Sequence, residues 1–476
     1  MQRSLAKLAV YAVLSVGLLL TGRLVLGEAP AAPPTPPTPA TPATPATPAA
    51  PAAPAGSAAP AGAHGQANAA LLPQGEYLAH AADCVACHSA PGGAAYAGGR
   101  GMGLPMGTIW TTNITPDAET GIGSYTLQDF DRALRRGVAR DGHHLYPSMP
   151  YPSYAKLSDG DVAALYAYFM LSVKPVHQVN HPPQVGWPVS MRWLMAIWNM
   201  FFLDTHPYQN ARDHDAQWNR GAYLVQGAGH CGACHTPRGW LFEEKALSEH
   251  GSGYLAGAPL DNWSAADLTG DGAYGLGRWS EADLVQFLKT GHNASGTAFG
   301  SMIDVINYST QFLSDADNAA IAHYLKSLPP AHRDAPQTWQ ANPASAAALN
   351  QLQFGARGSQ LYYQYCGDCH RRDGSGQAPY IPPLAGNPAV LDSDPVSLIN
   401  ITLNGSSPLV VAGNPDFYRM ASFRGLLDDQ QLADVVTYMR GAWGNVAAGV
   451  SPDQVRSLRT TTGAVQVEEL NLLRMR

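Results

Sequence analysis

All six cysteines of this 476-residue chain fall in one pattern, C-x-x-C-H, which occurs three times: Cys84, Cys87 and His88; Cys231, Cys234 and His235; Cys366, Cys369 and His370. Side chains three apart share a helix face, and the next residue lies roughly 100° around the axis. Each motif therefore offers two thiols side by side with an imidazole turned away from them. A disulfide framework gives no reason for a histidine after every second cysteine. A structural zinc needs four ligands, and three cysteine pairs do not divide into four-cysteine sites. No βαβ pattern surrounds a motif, as a thioredoxin-like dithiol would require. What fits is attachment of haem c, with two thioether bonds to the porphyrin and the histidine on the iron. Three covalently bound haems are the expected cofactors.

The motifs sit in equivalent places of an internal repeat. Each copy opens with a short helical segment carrying a glycine ahead of the cysteines: "QGEYLAHAADCVACH", "NRGAYLVQGAGHCGACH" and "ARGSQLYYQYCGDCH". A Gly/Pro-rich stretch follows. Next comes a middle helix, "GIGSYTLQDFDRALRRG" (121–137) and "GLGRWSEADLVQFLKTG" (275–291), with "SDPVSLINITLNG" (393–405) as the weaker third member. Thr126 and Ser280 are the expected N-caps, and Gly137 and Gly291 the stops. A closing amphipathic helix completes each copy. The expected fold is all-α: three tandem cytochrome c-like domains at 71–180, 205–332 and 350–448, with an apolar connector at 181–204 and a tail at 449–476. Units of this size and glycine content have modest cores, as suits domains built around a large flat group.

One methionine precedes each closing helix: Met149, Met302 and Met420. A thioether on the sixth iron position closes the site and raises the reduction potential, so these three are the expected distal ligands, although methionine is also common core filler. Met102 and Met106 are rivals at the first haem but have no counterparts in the other copies; His143 and His144 are rivals too, but loop histidines are usually solvated. Trp110, Thr111 and Asn113 are candidates for the first haem's rim, or for a well-packed loop. In 187–207, Trp193, Trp198, Phe201 and Phe202 make an apolar stretch suited either to a membrane or partner surface or to packing between domains. No Ser-His-Asp set, phosphate loop or catalytic carboxylate pair stands out.

Arg3, Lys7 and the apolar run from Leu8 to Leu20 read as an export signal over 1–27, followed by a disordered Pro/Ala-rich linker at 28–70. The run is short for a spanning helix. A net charge of −7 and a pI near 6.1 argue against nucleic acid as a partner.

Over about 74–460 the chain resembles the three-haem cytochrome c subunits of membrane-bound dehydrogenases of acetic acid bacteria. The likeness is carried by "GTIWTTNITPDAETGIGSYTL", "LYPSMPY", "GHCGACHTPRG", "YLAGAPLDNW" and "PPLAGNPAV". It implies a cytochrome peripheral to the periplasmic side of the cytoplasmic membrane, itself not the catalyst. Such a subunit takes electrons from a separate catalytic subunit and delivers them to ubiquinone. The partners it implies are a molybdopterin aldehyde dehydrogenase, a pyrroloquinoline-quinone alcohol dehydrogenase or a flavin-dependent sugar dehydrogenase. Cytochromes of the flavin type commonly end in a membrane helix, which "VQVEELNLLRMR" does not provide. "GWLFEEKALSEHGSGYLAGAPLDNWSAADLTGD" resembles the aldehyde type slightly better, which makes that type the expected partner, while "WGNVAAGVSPDQVRSLRTTTGAV" is shared with the alcohol type, the alternative. A catalytic multihaem enzyme such as a peroxidase would need an open sixth position, against three matched methionines.

Overall fold

The computed structural model describes residues 67–332, 338–416 and 418–464. The export signal, nearly all of the Pro/Ala-rich linker and the end of the tail lie outside the described residues.

The middle helices begin and end where local chemistry dictates. At Leu127–Arg136, Thr126 Oγ1 accepts from Asp129 N–H at 3.1 Å and the Asp129 carboxylate accepts from Thr126 N–H at 3.1 Å. Ser280 and Asp283 repeat this reciprocal box at Glu281–Thr290. Both helices stop at a left-handed glycine, Gly137 (φ 62°) and Gly291 (φ 76°). The third, Val396–Asn404, starts behind Pro395 with no side-chain cap and ends at Gly405. The closing helices, Asp159–Leu171, Asp315–Ser327 and Asp429–Gly441, are capped by Ser158, Ser314 and Asp428.

The glycine of each opening segment has one purpose in all three copies. A Cβ on Gly75 would stand 2.1 Å from Ala164 O, on Gly221 2.0 Å from Ala320 O, and on Gly358 2.1 Å from Asp434 O. Each acceptor is a backbone carbonyl of the copy's own closing helix, so hydrogen at Cα lets two backbones meet beside the cysteine motif.

Copies one and two are further joined by a reciprocal exchange. Tyr77 Oη donates to Asp317 in the second closing helix and accepts from Ser314 N–H at 3.1 Å; Tyr223 Oη donates to Asp161 in the first and accepts from Ser158 N–H at 3.1 Å. One apolar core accordingly runs through both, from Leu78, Leu165 and Tyr166 to Leu224, Tyr324 and Leu325. The third copy has its own core around Tyr362, Leu403, Val435, Val436 and Trp443. A helix at Pro452–Thr461, within the stretch expected as tail, buries Val455 and Leu458 in that core.

The fold departs from the all-helical expectation in short antiparallel ribbons. Gly101–Leu104 pairs with Gly107–Trp110, which also pairs with Gln184–Val185; Ala256–Leu260 pairs with Trp263–Asp267; Val410–Val411 pairs with Asn414–Pro415. The second ribbon turns through Asp261 (φ 47°) and Asn262 (φ 64°), the two-residue geometry whose twist matches its flanking strands. In the first two copies the Gly/Pro-rich stretches thus feed hairpins that set the acceptors Thr112 and Ala266, whereas the third acceptor, Pro382, lies outside the ribbons. Among the described residues no helix is long and apolar enough to cross a membrane.

Candidate functional site

Each motif forms one helical turn, with His88, His235 and His370 N–H donating to the first cysteine's carbonyl at 2.9 Å. The imidazoles are then fixed in the same way three times. His88 Nδ1 lies 2.7 Å from Thr112 O, His235 Nδ1 2.6 Å from Ala266 O, and His370 Nδ1 3.0 Å from Pro382 O. A carbonyl only accepts, so the proton is on Nδ1 and the lone pair on Nε2. Burial holds all three imidazole pKa values below the ordinary value, which keeps them in the neutral form that ligates metal. Tethering one ring nitrogen to orient the other is how proteins set a metal-bound histidine.

None of the six cysteines is in a disulfide. Burial pushes the thiol of Cys84 well up, Cys87, Cys231 and Cys366 to about 12, and Cys234 to about 11. Thiols held protonated do not suit a redox dithiol, which needs thiolate. They are compatible with addition across a vinyl group.

The methionines divide. Met149 packs on the core that holds Cys84, and Met420 on the core that holds Cys366. Met420 is also clamped at its backbone, its N–H donating to Ser406 Oγ at 3.0 Å and its carbonyl accepting from Ser406 N–H at 3.1 Å. Met302 belongs instead to a small cluster with Ile303, Ile306 and Leu409, apart from the core of Cys231. Its link to the second motif runs through Gly300 and Phe299, which lie against Trp263, three residues from the carbonyl that holds His235.

Buried donors without acceptors test the fit of a carboxylate-bearing porphyrin. Trp110 Nε1 and Trp339 Nε1 are enclosed and unpartnered, and Trp110 ends the ribbon that leads to Thr112. Indole N–H groups of this kind suit propionate oxygens, and Trp110 keeps an uncommitted donor. Thr111 and Asn113 do not: Thr111 Oγ1 accepts from Arg100 N–H, and Asn113 spends its amide on Thr120, Val176 and Thr115. They build a packed loop. Of the rivals to Met149, Met102 and Met106 lie in the first ribbon and its turn, and His143 is exposed and bonded to Asp141.

The first two motifs adjoin. Tyr154 Oη donates to Ala82 O, and its ring meets His230, the residue ahead of Cys231. Asp83 raises the pKa of Cys84 and Cys87 and of Cys234 across the boundary. Sequence reasoning missed these contacts, and it missed the buried Glu244, whose pKa burial pushes up to about 7 against Arg238 and Lys156.

The apolar stretch packs between the first two copies on one side and is exposed on the other. In the helix Leu194–Phe202, Trp198 is buried and donates to Leu241 O at 2.9 Å, and Asn199 accepts from Tyr151 Oη at 2.7 Å. Outward, Trp187, Trp193, Ile197 and Met200 are exposed, as are Trp240 and Phe242 in the loop around Leu241.

Comparison with known proteins agrees with this chemistry. A family profile described as "Cytochrome c" matches residues 73–173 and 355–443. The gluconate 2-dehydrogenase cytochrome c subunit of Pantoea cypripedii is 51% identical over 83% of this chain and 91% of its own length. The cytochrome c subunit of the quinone alcohol dehydrogenase of Gluconobacter oxydans is 46% identical over 86% and 87%. The fructose dehydrogenase cytochrome subunit of Gluconobacter japonicus is 39% identical over 84% and 85%. With haem-ready cysteines and neutral, tethered histidines already in place, these likenesses put the chain in the cytochrome c family, among the haem-bearing subunits of gluconate, alcohol and fructose dehydrogenases.

Proposed function

We propose that the chain is a three-haem electron relay, one haem c in each of three tandem domains, serving a separate catalytic dehydrogenase and delivering electrons to ubiquinone. Cys84 and Cys87, Cys231 and Cys234, and Cys366 and Cys369 supply the thioethers. His88, His235 and His370 are the proximal ligands; Met149, Met302 and Met420 are the distal ones. Haem c supplies a one-electron iron couple when bound. The residues around it hold Nε2 in place, exclude water and set the local charge. The observation that carries the reading is the threefold imidazole-to-carbonyl tether, which includes the middle motif lying between the two matched stretches.

In this reading the signal at 1–27 exports the chain and the outward face of Leu194–Phe202 rests on the periplasmic surface of the cytoplasmic membrane. The relatives named above support a dehydrogenase of the alcohol or sugar-acid type more than the aldehyde type expected from sequence. Pyridine haemochrome quantification on the purified mature protein, repeated after acid–acetone extraction, tests the haem count. About three non-extractable equivalents are expected, and about two would remove one motif from the scheme. Co-purification from the native membrane identifies the catalytic subunit.

A further inference from the structure

The loops behind the first two ribbons are copies of one another, "NITPDAETGIG" (113–123) and "DLTGDGAYGLG" (267–277). Each is clasped by the chain leaving its closing helix. Val176 N–H donates to Thr115 Oγ1 at 3.1 Å, and Ala331 N–H to Thr269 Oγ1 at 3.0 Å. His177 and His332, the next residues, therefore take equivalent places.

One exchange changes the chemistry. In the first copy Asn113 is buried and complete: Nδ2 donates to Thr120 Oγ1 at 3.0 Å and Val176 O at 2.8 Å, and Oδ1 accepts from Thr115 N–H at 2.9 Å. The second copy has Asp267, which keeps the accepting half, Oδ1 taking Thr269 N–H at 2.7 Å, but has nothing to donate. Its Oδ2 lies 3.3 Å from His332 Nδ1. Asp271, wholly buried, spends Oδ1 on Ala273 and Tyr274 N–H at 2.8 and 2.9 Å. Its Oδ2 is enclosed with no hydrogen-bond partner and stands 3.5 Å from the same Nδ1.

We propose that Asp267, Asp271 and His332 form a site for a divalent cation of the zinc class, separate from the haem positions. The three ligand atoms lie within 4.8 Å of one another. Ligands on a tetrahedral zinc with bonds of about 2.1 Å are about 3.4 Å apart, close to the separations of Nδ1 from the two oxygens. Imidazole mixed with carboxylate favours zinc-class ions over calcium or magnesium, which prefer oxygen alone. The half-exposed His332 side leaves room for a water ligand. Such an ion would pin the chain after the closing helix to the residue next to Ala266, whose carbonyl orients His235. In the first copy, Asn113 fills the corresponding position with its own hydrogen bonds.

The test uses the full-length, haem-loaded cytochrome, stripped with EDTA, given zinc at micromolar free concentration and gel-filtered. The metal content is read by mass spectrometry and the thermal midpoint by circular dichroism. The wild type should retain about one zinc per chain and melt several degrees higher with it than without. Asp267→Asn, which copies the first loop, and His332→Ala, at a half-exposed position, should each retain none and melt indifferently to EDTA. A wild type that retains no zinc overturns the site. So does retention of the same amount by both variants, which would put the metal on other histidines. Displacement of the zinc by millimolar calcium would overturn the zinc-class assignment.

Discussion

The ring of Tyr154 in the first copy stands edge-on to the ring of His230 in the second, 5.6 Å between centroids, while its hydroxyl donates to Ala82 O at 3.0 Å. Ala82 and His230 each lie just ahead of a cysteine motif, so one tyrosine touches the chain leading into both. Tyr154 is nearly fully buried beside the two C-x-x-C-H turns. The first two copies are thus built as a pair, joined at this ring and again by the tyrosine–aspartate exchange.

His230 makes that junction sensitive to acid. Burial pushes its imidazole pKa down to about 4 from an ordinary 6.5. Between these values the unfolded chain binds the proton and the folded chain does not, so stability is fully present above about pH 6.5 and falls as pH drops towards 4. The loss should reach at most about 3 kcal/mol. Denaturation of wild type and His230→Asn at about pH 7.5 and pH 4.5 measures it. The variant, although less stable at neutral pH, should lose less on acidification, and an equal loss in both proteins would rule this histidine out as the cause.

Gly221 is predicted to be irreplaceable by a side chain. Its Cβ would lie 2.0 Å from a closing-helix carbonyl, a clash only backbone movement can relieve. Gly221→Ala should cost about 3 kcal/mol by overpacking. Gly103→Ala, where nothing lies within 4 Å, should stay within about 0.5 kcal/mol. Urea midpoints of the two variants make the comparison.

What the sequence made legible was local. The Thr126 and Ser280 caps and the Gly137 and Gly291 stops are decided within one helical turn, and the cysteine spacing within another, so both stood as read. The glycine ahead of each motif was visible as a repeat, but its reason was not, because its neighbour lies on a helix far along the chain. The same holds for Thr112, Ala266 and Pro382, which hold their histidines across 24, 31 and 12 residues. The ribbon turning at Asp261 and Asn262 escaped because that pair is a weaker hairpin signal than Asn-Gly or Asp-Gly. The helix at Pro452–Thr461 escaped because its apolar positions gain meaning only against the third core.

Glu244 should couple protons to electrons at the second motif. Its carboxylate approaches Gly232, between Cys231 and Cys234, and burial lifts its pKa to about 7. As pH rises through 7 a negative charge appears there and favours the oxidised iron. The potential of the haem proposed at this motif should therefore fall between about pH 6 and pH 8, by tens of millivolts. Spectroelectrochemical titration at the two pH values should lose this slope in Glu244→Gln; an unchanged slope assigns the coupling elsewhere.

The outward face of Leu194–Phe202 should govern membrane attachment. Trp193 to Leu203 carries no charge, and Trp193 and Met200 are 59% and 72% exposed. Burying two such side chains in a bilayer surface contributes a few kcal/mol, so Trp193→Ser with Met200→Ser should weaken binding to phospholipid vesicles at least about tenfold. Haem content should not change. Equal sedimentation of wild type and variant with vesicles would return this face to a protein partner.

Met302 is the proposed ligand most open to test, because it packs away from the core of Cys231 while Met149 and Met420 pack on the cores of their own cysteines. If all three thioethers close their sites, the reduced wild type binds no carbon monoxide, and Met149→Leu, Met302→Leu and Met420→Leu each bind about one equivalent. Leucine keeps the volume and apolarity of methionine, so the fold should survive each change. A Met302→Leu protein that still excludes carbon monoxide, beside two variants that bind it, would show that another group closes the second site. The search would then turn to the residues that meet Trp263, which already connect the Met302 segment to the carbonyl holding His235.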